Sequence, residues 1–330
     1  MKKLVLLSLA LVFFSVNAYA AEYVFKFGHT ANSTVPIYDA YEHFAKLVTE
    51  KTNGRMQVLV FPSGQLGSDM VLAESVLNGS LEAASISNSN MSPFTDIFQW
   101  TSLPCLINSP EGARKIFNGD IGKDLAKRLE ETTDFKVLLF ADFDGLRMPF
   151  TRNKQIRSPH DLKGLKLRST ASPVEMDCVR AYGANPTPVS WGELYTGLEQ
   201  GVVEGIFQDY MWLDSAKLGE VLKNVTEVPY GVGGYVIHMV LCNKKVFATY
   251  PPEIQKALLE SGQETSAFLA KQIDQTLPEI RERLIQNGLV VYTPTDQEAE
   301  EWFTEAQKVW SKYTDIAPQA FIDSVLAAQK

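Results

Sequence analysis

The fold is decided by two β-rich runs, Tyr23-Val24-Phe25-Lys26-Phe27-Gly28 and Met56-Gln57-Val58-Leu59-Val60-Phe61, and by the segment between them. The apolar side chains of that segment recur at helical spacing: they are Ile37, Tyr41, Phe44, Ala45 and Val48. Gly54 then stands where the C-terminal cap of a helix is expected. Two strands joined by a helix within one sheet predict parallel pairing with a right-handed crossover.

The same alternation continues along the chain. It predicts a helix over 69–78 before the apolar run 83–86, helices over 110–117 and 122–131, and then a strand over 136–141. Because strands and helices alternate throughout, the sequence favours an α/β architecture.

Two capping boxes mark helix starts in the middle of the chain, at Ser172-Pro173-Val174-Glu175 and Ser190-Trp191-Gly192-Glu193. A strand is predicted over 235–241. The stretch 252–287 then has a helical composition, interrupted by Pro278. Since a helix of that length exceeds one small domain, we expect it to run across two.

Length and composition exclude several classes of protein. A chain of 330 residues with 45% hydrophobic residues is globular and long enough for two domains. The formal net charge of −8, with no long Lys/Arg run, makes nucleic acid a poor partner. Three widely spaced cysteines, Cys105, Cys178 and Cys242, exclude a disulfide framework and are expected to be buried.

The first twenty residues are typical of an export signal. Lys2 and Lys3 precede the apolar run 4–16, and Ala18-Tyr19-Ala20 gives the small-x-small cleavage pattern. Cleavage after Ala20 would remove two lysines and take the net charge from −8 to −10. The alternative is an N-terminal membrane helix, although the run is shorter than a span requires. We therefore predict a periplasmic protein with a signal peptide at residues 1–20.

The chain offers few signs of catalysis. It has no GxSxG, HExxH or Walker motif and no GxGxxG after a strand, so no cofactor and no metal site are expected. His29 ends the first strand beside Thr30, where α/β sheets present residues to ligands. Arg147 and Arg168 lie at strand ends, where the planar guanidinium can bind a carboxylate bidentately. Either arginine alone is more often part of a structural salt bridge.

Several ordered motifs resemble the substrate-binding subunit of tripartite ATP-independent periplasmic (TRAP) transporters, of the DctP type. They cover nearly the whole mature chain: Phe25-Lys26-Phe27-Gly28-His29, Thr52-Asn53-Gly54-Arg55, Phe61-Pro62-Ser63-Gly64-Gln65-Leu66-Gly67, Asp161-Leu162-Lys163-Gly164-Leu165-Lys166-Leu167-Arg168, Gly183-Ala184-Asn185-Pro186-Thr187-Pro188, Glu193-Leu194-Tyr195 and Leu198-Glu199-Gln200-Gly201-Val202-Val203-Glu204-Gly205. The resemblance implies a periplasmic-binding-protein-like fold, in which two α/β lobes bridged by strands and a long C-terminal helix close on an organic acid.

The resemblance also implies a lobe division and a set of partners. Lobe I is expected to comprise 21–144 and 232–275, and lobe II 145–231 and 276–330. The implied partners are a small carboxylate and the permease subunits of a TRAP transporter, with the chain itself a monomer.

The resemblance also implies ligand-binding roles for individual residues of this sequence. Arg168 stands where the family's arginine clamps the ligand carboxylate, and Arg147 matches a second, assisting arginine. Gln208 replaces a common asparagine, and Trp191 matches a ligand-packing aromatic residue or else anchors a helix start in the core.

Three further positions have weaker support. Thr30 and Ser87 match pocket positions of sialic-acid-binding relatives, and the loss of the acidic residue at the Ser87 position argues against sialic acid. Tyr235 is a candidate near the hinge between the lobes.

Two other functions remain open from the sequence: a secreted hydrolase or lyase with non-contiguous catalytic residues, and a sensor that presents its ligand to a receptor. The ligand also stays open among aromatic or indolic acids, small hydroxy or dicarboxylic acids, and short sulfonates. The aromatic residues around Gln208 favour a bulky or aromatic acid: they are Trp191, Phe207, Tyr210 and Trp212.

Overall fold

A computed structural model describes residues 21–141 and 145–330, so the predicted signal peptide lies outside the described residues. The strands of the described residues are β1 Tyr23–Gly28, β2 Met56–Phe61, β3 Ala83–Ser87, β4 Phe135–Ala141, β5 Met148–Thr151, β6 Lys166–Ser169, β7 Asn185–Pro188, β8 Gly205–Gln208, β9 Asn224–Thr226, β10 His238–Asn243 and β11 Val290–Tyr292. The α-helices are α1 Pro36–Lys51, α2 Asp69–Leu77, α3 Pro110–Asn118, α4 Asp120–Thr132, α5 Pro173–Ala181, α6 Leu194–Glu199, α7 Tyr210–Ser215, α8 Lys244–Thr249, α9 Pro252–Gln286, α10 Asp296–Trp310 and α11 Gln319–Ala328.

The strands form two separate sheets, one in each lobe. In lobe I the order is β2-β1-β3-β10-β4, and β1 pairs in parallel with both β2 and β3. In lobe II the order is β11-β9-β5-β8-β6-β7, with β6 parallel to both β7 and β8. The predicted parallel strand–helix–strand unit and the two-lobed α/β architecture are therefore confirmed.

The lobes are connected where two extended segments cross side by side. Residues 145–147 run antiparallel to 233–236, and Leu146 and Tyr235 form the bridge between them. The backbone N–H of Arg147 donates to the Gly234 carbonyl at 3.2 Å, and the Gly233 N–H donates to the Arg147 carbonyl at 2.9 Å. This crossing places Arg147 at the junction of the two lobes.

Helix α9 forms the other connection and is continuous through Pro278, as the composition predicts. Its first half packs on α1 and β4 of lobe I. Its second half packs on α7 and forms ion pairs with lobe II, Arg283 with Asp214 at 2.7 Å and Arg281 with Glu227 at 2.5 Å. One apolar cluster follows the helix from one lobe to the other, from Phe44 and Leu258 to Ile280 and Leu284.

Two local predictions differ from the structure. The predicted strand over 235–241 begins only at His238, because residues 235 and 236 pair with the crossing segment instead. The capping box predicted at 190–193 does not form, since the Ser190 hydroxyl donates directly to the Glu193 carboxylate at 2.6 Å and leaves the backbone uncapped.

The C-terminal end of the chain packs on lobe I, although the sequence assigned all of 276–330 to lobe II. Helix α10 packs on α5 of lobe II, but α11 packs on α3. There Phe321 meets Trp100 edge-on, with 5.1 Å between ring centroids, and the Gln329 amide donates to the Leu106 carbonyl at 3.0 Å. The final helix returns because its apolar face completes the lobe I core.

Helix α9 approaches the backbone of β4 closely at Gly262, and a substitution there tests how closely the two pack. A Cβ atom added at this position would lie 2.2 Å from the Leu138 carbonyl oxygen, which is backbone and cannot rotate away. We expect Gly262→Ala to lower the free energy of unfolding by about 1–3 kcal/mol, measured by urea denaturation. Gly197→Ala, a buried helical glycine whose added Cβ would make ordinary contacts from 3.7 Å, is the control and should be neutral or stabilising.

Candidate functional site

A cleft between the lobes contains an outer cavity of about 500 Å³ that continues into an inner chamber of about 40 Å³. Lobe I contributes the loop after β1, the 63–70 turn and Asn90 to the outer cavity, and lobe II contributes the residues that follow β6 and β7. The inner chamber is lined by Thr30, Asp69, Ser87, Ser89, Asn90, Arg147, Arg168, Thr170, Trp191, Gln208, Trp212, Val236 and His238. A cavity of this size is typical of small-molecule sites.

Arg168 lines both parts of the cleft from strand β6. Its side chain is buried, and among the described residues its only hydrogen bond runs from Nε to the Val189 carbonyl at 3.0 Å. The guanidinium also lies 5.8 Å from the centre of the Trp191 ring, within cation–π range. Burial, assisted by the charge of Arg147, lowers the pKa of Arg168 to about 10. The two Nη groups are therefore available to an anion in the cleft.

Arg147 lines the inner chamber and is compensated by a carboxylate that the sequence did not identify. Its Nη1 lies 3.1 Å from Oε1 of Glu175, and both side chains are almost completely buried, at 3% and 4% exposure. The contact is an ion pair without hydrogen-bond alignment. Burial alone would raise the pKa of Glu175, but Arg147, Arg168 and the hydroxyl of Thr170 together hold that pKa below its usual value.

Glu175 shows why the predicted capping box at the start of α5 is only half formed. The Ser172 hydroxyl accepts from the Glu175 N–H at 3.4 Å, as predicted. The Glu175 carboxylate, however, accepts from the Thr170 hydroxyl and faces Arg147 instead of returning to the Ser172 N–H. A residue assigned to helix capping therefore supplies the buried counter-charge of the site.

Asp69 is the acidic residue of the lobe I wall, and sequence reasoning missed it. It occupies the first position of α2 and lines both parts of the cleft. Its Oδ1 accepts from the Thr30 hydroxyl at 3.1 Å, and its Oδ2 accepts from the Ser87 N–H at 3.2 Å and the Asn90 amide at 2.8 Å. An acidic residue in the first turn of a helix is ordinarily explained by the helix dipole, so no sequence pattern marks Asp69 as a residue of the site.

The aromatic wall of the cleft is smaller than predicted. Trp191 meets Trp212 edge-on at 5.1 Å, and both rings line the inner chamber. Phe207 instead points into the core against Tyr182, because successive residues of β8 face opposite sides of the sheet and Gln208 takes the cleft side. Tyr210 packs on Phe150 and also lies outside the cleft lining.

Two other predicted ligand residues are placed elsewhere. His29 is buried among the rings of Phe27, Tyr38 and Tyr41 and does not line either cavity. Tyr235 is fully buried at the crossing between the lobes, also away from the cleft. The structure brings the remaining six predicted residues together at the cleft: Arg168, Arg147, Gln208, Trp191, Ser87 and Thr30.

Other kinds of site receive no support from the part of the chain that the structure describes. Within residues 21–141 and 145–330, no group of three or more His, Cys, Asp or Glu side chains is placed to hold a metal ion. The same residues contain no helix long and apolar enough to span a membrane. Cys105, Cys178 and Cys242 are all buried free thiols, and burial raises the pKa of each.

Comparisons with known proteins give one consistent result. Residues 27–315 match the family model for bacterial extracellular solute-binding protein, family 7. The chain is 29% identical to the 2,3-diketo-L-gulonate-binding periplasmic protein of Escherichia coli, over 87% of this chain and 85% of that protein. It is 28% identical to the C4-dicarboxylate-binding periplasmic protein of Vibrio cholerae, over 96% of this chain and 94% of that protein.

A solved structure shows the same architecture. It is a TRAP periplasmic solute-binding protein from Shewanella oneidensis with bound succinate, 25% identical in sequence, with a TM-score of 0.87. The match covers 93% of this chain and 99% of that one. The two-lobed fold therefore extends over essentially all of the described residues.

The buried ion pair predicts a large effect at Glu175. Glu175→Gln keeps the shape of the side chain but leaves the charge of Arg147 buried without its counter-charge. We expect the free energy of unfolding, measured by urea denaturation, to fall by about 3–5 kcal/mol. Asp177→Asn, which removes a more exposed carboxylate from the same helix, is the control and should cost less than about 1 kcal/mol. Equal losses in the two variants would contradict the assignment.

His29 predicts a pH dependence of stability. Burial, with the nearby charge of His238, lowers the pKa of His29 to about 4. Between that value and the ordinary 6.5 the unfolded chain binds a proton that the folded chain does not, so stability rises with pH in this window. Replacing His29 by Phe should flatten the dependence by up to about 1.4 kcal/mol per pH unit.

The measurement for His29→Phe is urea denaturation at a series of pH values from about 4.5 to 6. Burial raises the pKa of Asp209 to about 6, so this carboxyl group makes stability fall as the pH rises. The wild type and His29→Phe share this contribution, and it cancels when their slopes are compared. His160→Phe is the control, because the imidazole of His160 is exposed to water. An unchanged slope in His29→Phe would show that this imidazole is not buried as described.

Proposed function

The chain belongs to family 7 of the bacterial extracellular solute-binding proteins, and on this premise we propose that it captures a small organic acid for a TRAP transporter. In the proposal, Arg168 binds the ligand carboxylate with its two Nη groups, and the lobes close around the complex. The observation that carries the proposal is the buried guanidinium of Arg168, which within residues 21–141 and 145–330 has one hydrogen bond, to the Val189 carbonyl.

The surroundings of Arg168 support a carboxylate rather than a neutral ligand. A guanidinium removed from water gains most from an anion that accepts two parallel hydrogen bonds. Arg147 adds positive charge from the inner chamber, and the Gln208 amide lines the same space. The ligands in the names of the similar proteins, a diketogulonate, C4-dicarboxylates and succinate, all carry a carboxylate.

Closure of the lobes follows from the division of the site. Arg168, Gln208 and Trp191 belong to lobe II, whereas Asp69 and Thr30 belong to lobe I. A ligand that contacts both walls stabilises the form in which the walls are close together, because only that form makes both sets of contacts.

The proposal includes a location, a partner and the fate of the ligand. The protein acts in the periplasm after removal of residues 1–20, works as a monomer, and passes its ligand to the membrane permease of the transporter. It releases the ligand chemically unchanged, in contrast to the hydrolase or lyase alternative. Mass spectrometry of an acid before and after incubation separates the two, since any conversion would favour the enzyme.

Substitution of Arg168 tests the clamp. The first step is a thermal-shift screen of organic acids, in which a bound acid raises the melting temperature. We expect Arg168→Ala to weaken binding of the acid found in this way by about 2–5 kcal/mol, measured by calorimetry. Arg168→Lys keeps the charge but loses the planar fork, and should lie between the wild type and Arg168→Ala.

The matched control is Arg180→Ala, which removes a more exposed arginine of lobe II that pairs with Asp177 outside the cleft. It should leave affinity unchanged. Full affinity in Arg168→Ala would overturn the clamp, and similar losses in both variants would assign the effect to net charge.

A further inference from the structure

Helix α7 of lobe II turns one face toward lobe I. Trp212 of this helix stacks on His238 of β10, with 5.1 Å between the ring centroids and 26° between the ring planes. Three residues further along, the Ser215 carbonyl accepts a hydrogen bond at 2.7 Å from the side-chain amide of Asn32, which lies in the loop after β1. Residues three apart lie on the same side of a helix, so both contacts belong to one surface of α7.

The Ser215 carbonyl requires a partner from outside its own helix. The last carbonyl groups of a helix have no N–H of that helix to bind. The next two N–H groups, of Ala216 and Lys217, bond to earlier carbonyls of α7. Lys217 then takes a left-handed conformation, with a φ of 54°, which ends the helical path of the chain. The amide of Asn32 therefore caps the last turn of α7 from the opposite lobe.

The Asn32 amide is held in the orientation that this bond requires. Its Oδ1 accepts from the Thr34 N–H at 3.0 Å and from the Thr34 hydroxyl at 2.6 Å, so the loop folds around the oxygen of the side chain. Only the amide nitrogen, Nδ2, can donate to a carbonyl oxygen. The two ends of the amide thus have separate roles: Oδ1 orders the loop, and Nδ2 binds the other lobe.

This contact depends on the distance between the lobes and is remote from the ligand. Neither Asn32 nor Ser215 is among the described residues that line the two cavities of the cleft. A hydrogen bond of 2.7 Å is lost when its atoms move apart by about 1 Å more, so it exists only while the lobes are close together. Asn32 therefore stabilises one arrangement of the lobes without contacting the space that an acid would occupy.

The same short helix also forms part of the cleft wall. Gln208 ends β8 and lines the inner chamber, and the next residue, Asp209, caps the start of α7 by accepting from the Trp212 N–H at 2.9 Å. The Trp212 ring lines the chamber as well. The chamber wall and the contact with lobe I are thus carried by one helix of six residues, and a shift of that helix changes both.

We infer that Asn32 is a latch residue, whose amide caps α7 across the cleft and stabilises the closed arrangement of the lobes before an acid binds. This inference rests on the proposed function, in which the lobes open and close. An acid binds the closed form, so its apparent affinity is the affinity of that form multiplied by the fraction of the protein that is closed. Asn32 thus sets the affinity for every acid by the same factor, whereas the lining residues set which acid is preferred.

Pulsed electron paramagnetic resonance tests the latch, because it measures the distance between spin labels on the two lobes with no acid present. Glu74→Cys on α2 and Thr196→Cys on α6 place the labels at exposed positions, while the three native cysteines are buried and stay unlabelled. We expect the wild-type background to show a closed and an open distance. Asn32→Ala should lower the ratio of closed to open protein by about threefold to tenfold, the effect of one neutral hydrogen bond.

Two outcomes of that experiment overturn the inference. One is a wild-type background that shows the open distance alone. The other is a closed-to-open ratio in Asn32→Ala that falls by less than about twofold.

Two further variants separate the latch from the local turn. Asn32→Asp keeps an oxygen for Thr34 but replaces the donor by an anion that faces the negative end of α7, so the closed-to-open ratio should fall below that of Asn32→Ala. Thr34→Ala is the control, since it removes the hydroxyl bonded to Oδ1, leaves Nδ2 in place and should leave the ratio unchanged. A wild-type ratio in Asn32→Asp, or a fall in Thr34→Ala as large as in Asn32→Ala, overturns the inference.

Calorimetry connects the latch to binding. The affinity of Asn32→Ala for the acid identified by the thermal-shift screen should fall by the same factor as the closed fraction measured without acid. A loss of affinity with an unchanged closed fraction would assign Asn32 to the ligand contacts and overturn the inference. The proposed function is judged separately: it stands if binding of that acid is lost in Arg168→Ala, whatever the closed fraction of Asn32→Ala.

Discussion

A guanidinium held out of water at the bottom of the cleft is the constraint on which the rest of the structure depends. Arg168 is buried, and among the described residues it donates only to the Val189 carbonyl. Burying a charge is costly unless neighbouring charges and hydrogen bonds compensate for it. Glu175 and Asp69 supply part of that compensation from two different lobes. In the proposed function, the carboxylate of the ligand supplies the remainder. Stability without ligand and affinity for ligand are therefore set by the same few charges.

Most of the fold could be predicted because the hydrophobic patterns of its strands and helices are long and periodic in the sequence. Strands β1 and β2 have the same bounds as the two β-rich runs, and α9 begins and ends within one residue of the predicted stretch. Errors occur where a short segment has a tertiary partner. Residues 235 and 236 join the crossing instead of β10, and α11 returns to lobe I because an apolar core there lies open to it.

The site could be predicted only in part, for a related reason. Arg168, Arg147 and Gln208 lie at strand ends, and the order of strands in a sheet brings such ends to the same cleft. Glu175 and Asp69 lie in the first turns of helices, where acidic residues have a sufficient local explanation. Their contacts with Arg147 and Thr30 join residues far apart in sequence, which no local pattern reports.

Arg147 lines the inner chamber with its side chain and also takes part, through its backbone, in the crossing that connects the lobes. Its backbone is hydrogen-bonded to residues 233 and 234, and a Cβ atom on Gly233 would lie 2.8 Å from the Cβ of Arg147. The peptide that carries this charge toward the inner chamber is thus part of the connection between the lobes. If the lobes close by turning about this connection, as the proposed function requires, that peptide turns with them and takes the guanidinium along. Ligand binding in the cleft and the angle between the lobes would then be coupled, and a membrane partner that contacts both lobes would bind the ligand-bound and the empty protein differently.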